Sequence, residues 1–356
     1  MSRVFPPLDQ KLRLRSDHWS AGAARVATRL GLQSKSFDLA AAALGDAVGR
    51  EMSADSLRRI TEEWGQAVAA QRQQEAERAN AVAQRREKPE DRRVAEAAPI
   101  AGQANLSTDG AMMRVRDEGW KEVKLVAVSE VKVRPAVLRT SPGPSRRTDD
   151  PLVELVGHSY QAGLWDADAM AVHQYAEAMR RGLDYSRKRG SVNDGAIWIK
   201  RITDLNFPGI TQVVDWKHAG DHLWLVGNAL CGEQTPAAKQ WTERHLDLLW
   251  AGRVAEVVRV LDQLELRQER YPALVREAPD YFRSNQERMR YDVFRAQGYP
   301  IGSGTVESGA NTVVHHRMRR PGRGWQRQNG QAMLAALSEL HSGRFDSAWR
   351  SIFSRS

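Results

Sequence analysis

Cysteine is almost missing from this 356-residue sequence, which contains only Cys231. A single cysteine excludes an internal disulfide and any zinc module built from cysteines, and cytoplasmic residence is the simplest interpretation. Long apolar runs are missing as well, since none approaches the roughly 18 residues that a membrane span needs. The first ten residues, MSRVFPPLDQ, lack the hydrophobic stretch of a signal peptide. We therefore expect a cytoplasmic protein that does not span a membrane.

Acidic residues are outnumbered by basic ones, with 44 Asp and Glu against 53 Lys and Arg and a net charge of +9. This excess suits a partner that carries phosphates, although an ordinary basic protein has the same composition. Hydrophobic residues make up 41% of the chain, which is enough to build a core and excludes a fully disordered chain. The length predicts two or three domains of roughly 150 residues each.

The first hundred residues have helical periodicity. Ser36–Gly49 and Ala54–Arg72 predict two helices joined by a short turn. This pair is either a helix-turn-helix, whose second helix would enter a DNA major groove, or simply two packed helices. The polar stretch Gln71–Ala97 contains good helix formers and could be a long solvated helix, which Pro89 would interrupt; we interpret it as a connector between domains.

The next part of the chain predicts a mixed α/β sheet. Alternating apolar residues predict strands at Ala104–Val115, Trp120–Val133 and Leu152–Leu164, with a tight turn at Arg116–Gly119. The elements predicted after them are a helix from Asp166 to Gly190, a strand Ser191–Asn193, a helix Ala196–Asn206, a strand Ile210–Asp215 and a helix His218–Leu230. Strands and helices in this order are typical of a mixed sheet.

Only helical periodicity is found from Gly232 to Ala296, before the glycine-rich stretch Gly298–Gly304 and a last set of helices. A helical block thus follows the sheet and precedes its final helix. We divide the chain into residues 1–98 (N-terminal helices and connector), 99–231 (first part of the core), 232–297 (helical insertion) and 298–356 (final helices with a basic segment).

Three acidic residues lie where a strand would end or a helix would begin. They are Asp109 in Ser107-Thr-Asp-Gly110, Asp194 in Val192-Asn-Asp-Gly195, and Glu307 in Gly302-Ser-Gly-Thr-Val-Glu-Ser308. Carboxylates from separate elements can together hold two hard divalent cations that promote phosphodiester cleavage. Taken singly, each has an ordinary explanation, since Asp-Gly is common in hairpin turns and Glu favours a helix N-terminus.

A second cluster consists of Asp215, His218 and His222. The two histidines, four residues apart, share one helical face, and this spacing could bind a transition metal such as the zinc of a hydrolase. The glutamate that follows the first histidine in the zinc-protease motif is missing. Structural hydrogen bonding at a strand-to-helix junction explains the cluster equally well.

A basic segment follows Glu307. Five arginines fall within eleven residues that contain no acidic residue, and Trp325 lies among them. Arginine forks and an indole ring suit a phosphate backbone and an exposed base. We therefore predict that DNA is bound by Arg317, Arg319, Arg320, Arg323, Trp325 and Arg327.

Together these motifs resemble the insertion-sequence transposases of the ISKra type, which are relatives of the Mutator-like group. The resemblance runs from Phe5 to about Leu337. It rests on Asp109-Gly110, Trp120-Lys-Glu-Val-Lys124, Asn193-Asp-Gly-Ala-Ile-Trp198, Phe207-Pro-Gly-Ile, Val214-Asp-Trp-Lys-His-Ala-Gly-Asp-His-Leu-Trp224, Ile301-Gly-Ser-Gly-Thr-Val-Glu-Ser308 and Arg317-Met-Arg-Arg-Pro-Gly322.

The resemblance implies an RNase H-like core, a mixed sheet with helices on both faces and an all-α block inserted before the last catalytic helix. It implies a DDE triad in which Asp109 ends the first core strand, Asp194 follows the fourth, and Glu307 lies on the helix after the block. The triad would bind Mg²⁺ or Mn²⁺, with Asp215 and His218 supporting the site. Asp215, which follows a clear strand, is the alternative to Asp194 as second metal ligand.

The function implied is that of a DNA transposase, an enzyme that cuts the ends of an insertion sequence and transfers them to target DNA. Its partners would be double-stranded terminal repeats and target DNA, with a homodimer or larger assembly in the synaptic complex. It would act in the bacterial cytoplasm, associated with the nucleoid. Because relatives usually carry an N-terminal cysteine-rich zinc segment that this sequence lacks, the alternative is a truncated or repurposed DNA-binding protein without catalysis.

Overall fold

A five-stranded mixed sheet forms the centre of the fold. The computed structural model describes residues 19–49, 51–84, 99–135, 150–264, 266, 268–319 and 324–353. The strands are β1 (Gln103–Val115), β2 (Gly119–Arg134), β3 (Leu152–Gly163), β4 (Lys188–Asn193) and β5 (Thr211–Val214). Their order is β3-β2-β1-β4-β5. The first three strands pair antiparallel, whereas β4 pairs parallel with both β1 and β5. The predicted mixed α/β class is confirmed.

Helices precede, separate and follow the strands. They are α1 (Ala21–Gln33), α2 (Phe37–Val48), α3 (Ala54–Gln84), α4 (Ala167–Arg180), α5 (Ile197–Asn206), α6 (Trp216–Cys231), α7 (Pro236–Trp250), α8 (Val254–Gln263), α9 (Ala273–Ser284), α10 (Tyr291–Ala296), α11 (Gly304–Gly309), α12 (His316–Met318), α13 (Arg327–His341) and α14 (Phe345–Phe353). A π-helical segment, Ala310–His315, joins α11 to α12. Such π-helical turns are rare and often occur near functional sites.

The first two strands and their turn lie where the sequence predicts them. Buried and exposed residues alternate over residues 110–115 of β1, whereas residues 123–129 of β2 are all buried. The turn between the strands places Asp117 and Gly119 at positive φ angles of 64° and 79°. Glycine adopts this conformation without strain. The third predicted strand is also confirmed, since β3 ends one residue before its predicted end.

The region before β4 differs from the prediction. Helix α4 ends at Arg180, and Gly190, the predicted end of that helix, lies inside β4. The predicted strand Ser191–Asn193 is part of β4, which begins three residues earlier, where the ammonium of Lys188 lies 3.9 Å from the centre of the Tyr299 ring. Gly190 packs so closely that an added Cβ would lie 3.0 Å from the same ring. The strand is thus stabilised by its position between β1 and β5 and not by its own hydrophobicity.

Alternate residues of β1 face two different cores. Ala111 and Met113 pack in a core with α1–α3 and the C-terminal helices, whereas Ala104 and Leu106 pack in a second core with α4 and α5. The sheet is therefore covered by helices on both faces, as predicted. A third core lies within the helical block α7–α10, which packs against β5 and α6.

Helix α3 extends beyond the end predicted for it. Residues 71–84, predicted to begin a connector, continue the helix. Arg72 is buried and donates hydrogen bonds of 2.8 and 2.7 Å to the carboxylate of Glu339 on α13. The connector prediction is therefore wrong for these residues, because they pack against the C-terminal helices. Residues 85–98, including Pro89, lie outside the described part of the chain, and the four-part domain division stays a prediction.

The helix-turn-helix interpretation gains no support from the exposed surface of α3. Its apolar stripe is buried, with Trp64 packing 4.9 Å from the Phe345 ring. On its first turns, Arg58 is paired with Asp55 and Glu62. A surface with paired charges of both signs is a poor match for a phosphate backbone. None of the helices in the described ranges is long and apolar enough to cross a membrane.

Candidate active site

Asp109 lies in the middle of β1, where the strand leaves its partner β4. The carboxylate is half-buried, and its Oδ1 accepts the Gly110 N–H at 2.7 Å. Pairing with β4 covers only Gln103–Leu106 of β1, so Asp109 lies beyond the end of the parallel ladder. The resemblance implies that Asp109 ends the first core strand, but β1 continues to Val115, as its sequence pattern predicts.

Asp194 follows the last residue of β4. Its Oδ1 accepts the Ala196 N–H at 2.8 Å, and Gly195 adopts a φ angle of 95° in the resulting turn. The preceding residue, Asn193, accepts the Thr108 N–H at 2.6 Å. This hydrogen bond joins the end of β4 to β1. Asp109 and Asp194 each directly follow one of the two residues that it connects.

Glu307 lies on α11 and reaches the same region. Its Oε1 is 3.8 Å from Nε2 of His218, which lies on the first turn of α6. Both side chains are partly exposed. The carboxylates that the sequence singled out thus come from β1, the end of β4 and α11, with His218 beside them.

The electrostatics show that these groups are close together. Burial is the main cause that raises the pKa of Asp109 to about 6, and the negative charges of Asp194 and Glu307 contribute to this rise. The Gly110 hydrogen bond and His218 act in the opposite direction. Like charges brought together disfavour ionisation, and a nearby cation would relieve this cost.

Asp215 joins two segments beside the site, the start of α6 and the residue before α11. The side chain is 2% exposed and caps α6, where Oδ1 accepts the His218 N–H at 2.9 Å. Its Oδ2 accepts the Ser303 N–H at 2.5 Å, just before the helix that carries Glu307. Both oxygens are thus engaged by backbone N–H groups, an arrangement that suits the predicted supporting role better than that of second metal ligand.

The helical block supplies a contact to the site that the sequence analysis missed. The Tyr281 hydroxyl on α9 donates a hydrogen bond of 3.2 Å to the backbone oxygen of Asp194. Its ring stacks on His222, with centroids 3.8 Å apart. The Asp194 turn is therefore held from both sides, by β1 through Asn193 and by the block through Tyr281. No local pattern marks a tyrosine 87 residues away as its partner.

The side-chain chemistry of the three carboxylates suits a divalent cation, but their arrangement does not by itself form a metal site. Within the described ranges, no group of three or more His, Cys, Asp or Glu side chains is arranged to hold a metal ion. The zinc interpretation finds no support, because the Asp215 oxygens bind backbone N–H groups and His222 stacks on Tyr281. Asp109, Asp194 and Glu307 are instead hard oxygen donors of like charge, which is the set that Mg²⁺ and Mn²⁺ prefer.

Two residues of the predicted DNA-binding segment pack inside the protein. Arg317 is 6% exposed, and its Nε donates to the Gly31 backbone oxygen at 3.1 Å. Its guanidinium lies 4.4 Å from the centre of the Phe37 ring. Trp325 is partly buried and donates from Nε1 to the Met318 oxygen at 3.1 Å. The Arg317 contacts join this segment to α1 and α2, and its burial is a poor match for a phosphate contact, whereas Trp325 keeps a partly exposed ring.

The other members of the segment differ among themselves. Arg319 is exposed, with its guanidinium 5.4 Å from the centre of the Trp120 ring. Arg327 is exposed and forms a bidentate pair with Glu118, with distances of 2.9 and 2.6 Å. Arg320 and Arg323 lie outside the described residues. Arg319 thus remains the described arginine of this segment best suited to a phosphate.

Comparisons with known proteins add little to this geometry. No protein-family model and no curated protein match the chain. Among solved structures, it is similar to the Drosophila P element transposase strand transfer complex, at 11% sequence identity and a TM-score of 0.28. That match covers 98% of this chain and 85% of the other. A TM-score this low carries no argument about fold or function.

Proposed function

We propose that this protein is a DNA transposase of the DDE type with an RNase H-like core. One observation carries the proposal: Asp109 on the first strand, Asp194 directly after the fourth and Glu307 on the helix after the helical block come from three elements that meet. These are the positions that the resemblance to ISKra-type transposases implies. The Thr108–Asn193 hydrogen bond joins the first two, and His218 lies 3.8 Å from Glu307. The net charge of +9 agrees with a nucleic-acid substrate.

Asp109, Asp194 and Glu307 would hold Mg²⁺ or Mn²⁺ ions. When bound, a pair of such ions activates an attacking oxygen and stabilises the leaving oxygen of a phosphodiester. The chain's own residues fix the carboxylates in place. Asn193 and Tyr281 hold the Asp194 turn, whereas Asp215 ties the start of α6 to the segment before Glu307.

A strand-cleavage assay tests the proposal. The substrate is a duplex that carries the element's own ends, taken from the DNA that flanks the coding sequence, with Mg²⁺, Mn²⁺ or a chelator. Asp109→Asn, Asp194→Asn and Glu307→Gln should abolish metal-dependent cutting and leave DNA binding intact. Asp221→Asn is the matched control, because this exposed carboxylate on α6 is paired with Lys217 outside the cluster.

The outcomes separate the alternatives. Cutting that survives in Asp109→Asn would contradict the triad. If Asp215→Asn loses metal-dependent cleavage while Asp194→Asn still cuts, Asp215 and not Asp194 is the second metal ligand. Binding that is insensitive to chelator, without cutting by the wild-type protein, would replace the proposal with a DNA-binding protein that has no catalytic activity.

A further inference from the structure

The tip of the β1–β2 hairpin presents a sheet face that helices leave uncovered. The face consists of alternate residues of β1 and their partners on β2, with Met112 opposite Glu122 and Arg114 opposite Trp120. Met112 is 42% exposed and Trp120 is 53% exposed. Toward the middle of the sheet the same face is covered at Lys124, whose ammonium lies 4.0 Å from the centre of the Trp198 ring on α5. We call Met112, Arg114, Trp120 and Arg319 the hairpin face.

Basic groups accompany the exposed aromatic ring. Arg114 is exposed, and Arg319 reaches over Trp120 from the end of α12. Three acidic residues lie nearby. Glu122 pairs with Lys124 and Glu118 pairs with Arg327, whereas Asp117 is exposed in the turn and is outnumbered by the basic residues Arg114, Arg116, Lys121 and Arg319. The local field around Trp120 is therefore positive. An indole ring flanked by guanidinium groups suits a base together with its phosphates.

The hairpin face and the carboxylate cluster meet at the open edge of β1. Asp109 shares a strand face with Ala111 and Met113, whereas Met112 and Arg114 lie on the other face, so a bound DNA strand passes around this edge. Gly110, at the inner end of the hairpin face, is exposed and follows Asp109 directly. Within the described ranges, no strand pairs with the outer edge of β1 between Leu106 and the bridge at Val115. Arg114 lies five residues after Asp109, or about 16 Å along the strand at the rise of a β-strand. About five stacked nucleotides span that length at 3.4 Å each.

We propose that the hairpin face binds unpaired nucleotides of the DNA strand next to the bond that is cut. Trp120 stacks on one base, Met112 packs beside it, and Arg114 and Arg319 bind the adjacent phosphates. This inference rests on the proposed function, because the carboxylates define which bond lies at the inner end of the face. It adds the strand-holding residues that the basic segment alone does not supply.

The test is a binding titration of the full chain in chelator, with cleavage measured separately in Mg²⁺. The probe is a fluorescein-labelled duplex with a short single-stranded overhang, followed by anisotropy, and a blunt duplex of the same sequence is the second probe. Trp120→Ala should weaken binding of the overhang probe about tenfold at low and at high salt, because stacking releases no counterions. Trp120→Phe should retain most of the affinity, and the blunt probe should respond less.

The arginines have a different signature. Arg114→Ala and Arg319→Ala should each flatten the slope of log affinity against log salt by roughly 0.7. Arg134→Ala, at the other end of β2, is the matched control and should leave the slope unchanged. Circular dichroism and melting temperature establish that each variant is folded.

Three results would overturn the inference. Cleavage and binding that are unchanged in Trp120→Ala would refute it while leaving the proposed function standing. Equal losses on the blunt and overhang probes would mean that the face does not select unpaired nucleotides. A Trp120→Ala variant that binds DNA normally but loses self-association in light scattering would show that the face contacts a second copy of the chain. Binding to the overhang probe without cleavage would leave the hairpin face standing and refute the catalytic proposal.

Discussion

Replacing Asp109 with asparagine should stabilise the metal-free protein at neutral pH while removing cleavage. Burial is the main reason that the pKa of Asp109 rises from 3.8 to about 6, with Asp194 and Glu307 adding to it. Because the folded-state pKa lies above the unfolded value, the ionised carboxylate destabilises the folded chain. Protonated Asp109 makes its full contribution to the free energy of unfolding below about pH 4, and this contribution is lost as the pH rises through about 6.

The magnitude follows from the two pKa values. At 1.36 kcal/mol per pKa unit, the change from 3.8 to about 6 corresponds to about 3 kcal/mol at pH 7. The carboxylate is partly exposed, so solvent screening makes this an upper limit. Asparagine keeps an oxygen for the Gly110 N–H and carries no charge, so Asp109→Asn should recover much of this free energy.

The assay is thermal unfolding in chelator between pH 4 and pH 8. The melting temperature of Asp109→Asn should equal that of the wild type near pH 4 and exceed it by several degrees at pH 7. Adding Mg²⁺ should then raise the melting temperature of the wild type by mass action, and raise that of the variant far less. Asp221→Asn, an exposed carboxylate paired with Lys217, should show neither effect. A variant that is less stable at pH 7, or equally stabilised at every pH, would refute the reasoning.

Asp215→Asn should lower both the melting temperature and the cleavage rate, because asparagine offers one acceptor oxygen to two backbone N–H groups; Asp166→Asn, at the N-cap of α4, controls for capping alone. His173→Gln should reduce the loss of stability between pH 6.5 and pH 4 in urea unfolding, because burial lowers the pKa of His173 to about 4 and the unfolded chain binds the proton first. An equal loss of stability between pH 6.5 and pH 4 in the variant and the wild type would contradict this. Glu339→Gln should reduce the free energy of unfolding by roughly 3–5 kcal/mol in denaturant titrations, because it leaves Arg72 buried without its full partner. A loss below about 1 kcal/mol would show that this pair is solvated.

The carboxylate cluster could be predicted because each of its residues is attached to a local signal. Asp109 follows an alternating apolar run, Asp194 precedes a helix, and Glu307 follows a glycine-rich stretch. The contacts that bring these local features together are between residues far apart in the sequence. The Asn193 side chain that joins β4 to β1, and Tyr281 from the helical block, act across 85 and 87 residues. A single sequence contains no periodicity on that scale.

Where the structure differs from the sequence-based expectation, the common physical cause is that arginine side chains are buried in helical stripes despite their charge. Val313, Val314, Arg317 and Met318 are all buried, at the spacing of one helical face, so the phase of the helix places Arg317 inward although its charge suggests the surface. Arg72 likewise continues the buried stripe of Trp64 and Val68. A long arginine side chain fills such a position when carbonyl or carboxylate oxygens meet its guanidinium. For Arg72 that partner is Glu339, 267 residues away. The sequence therefore predicts that position 72 lies on the buried face of the helix, but it does not identify the residue that makes this burial favourable.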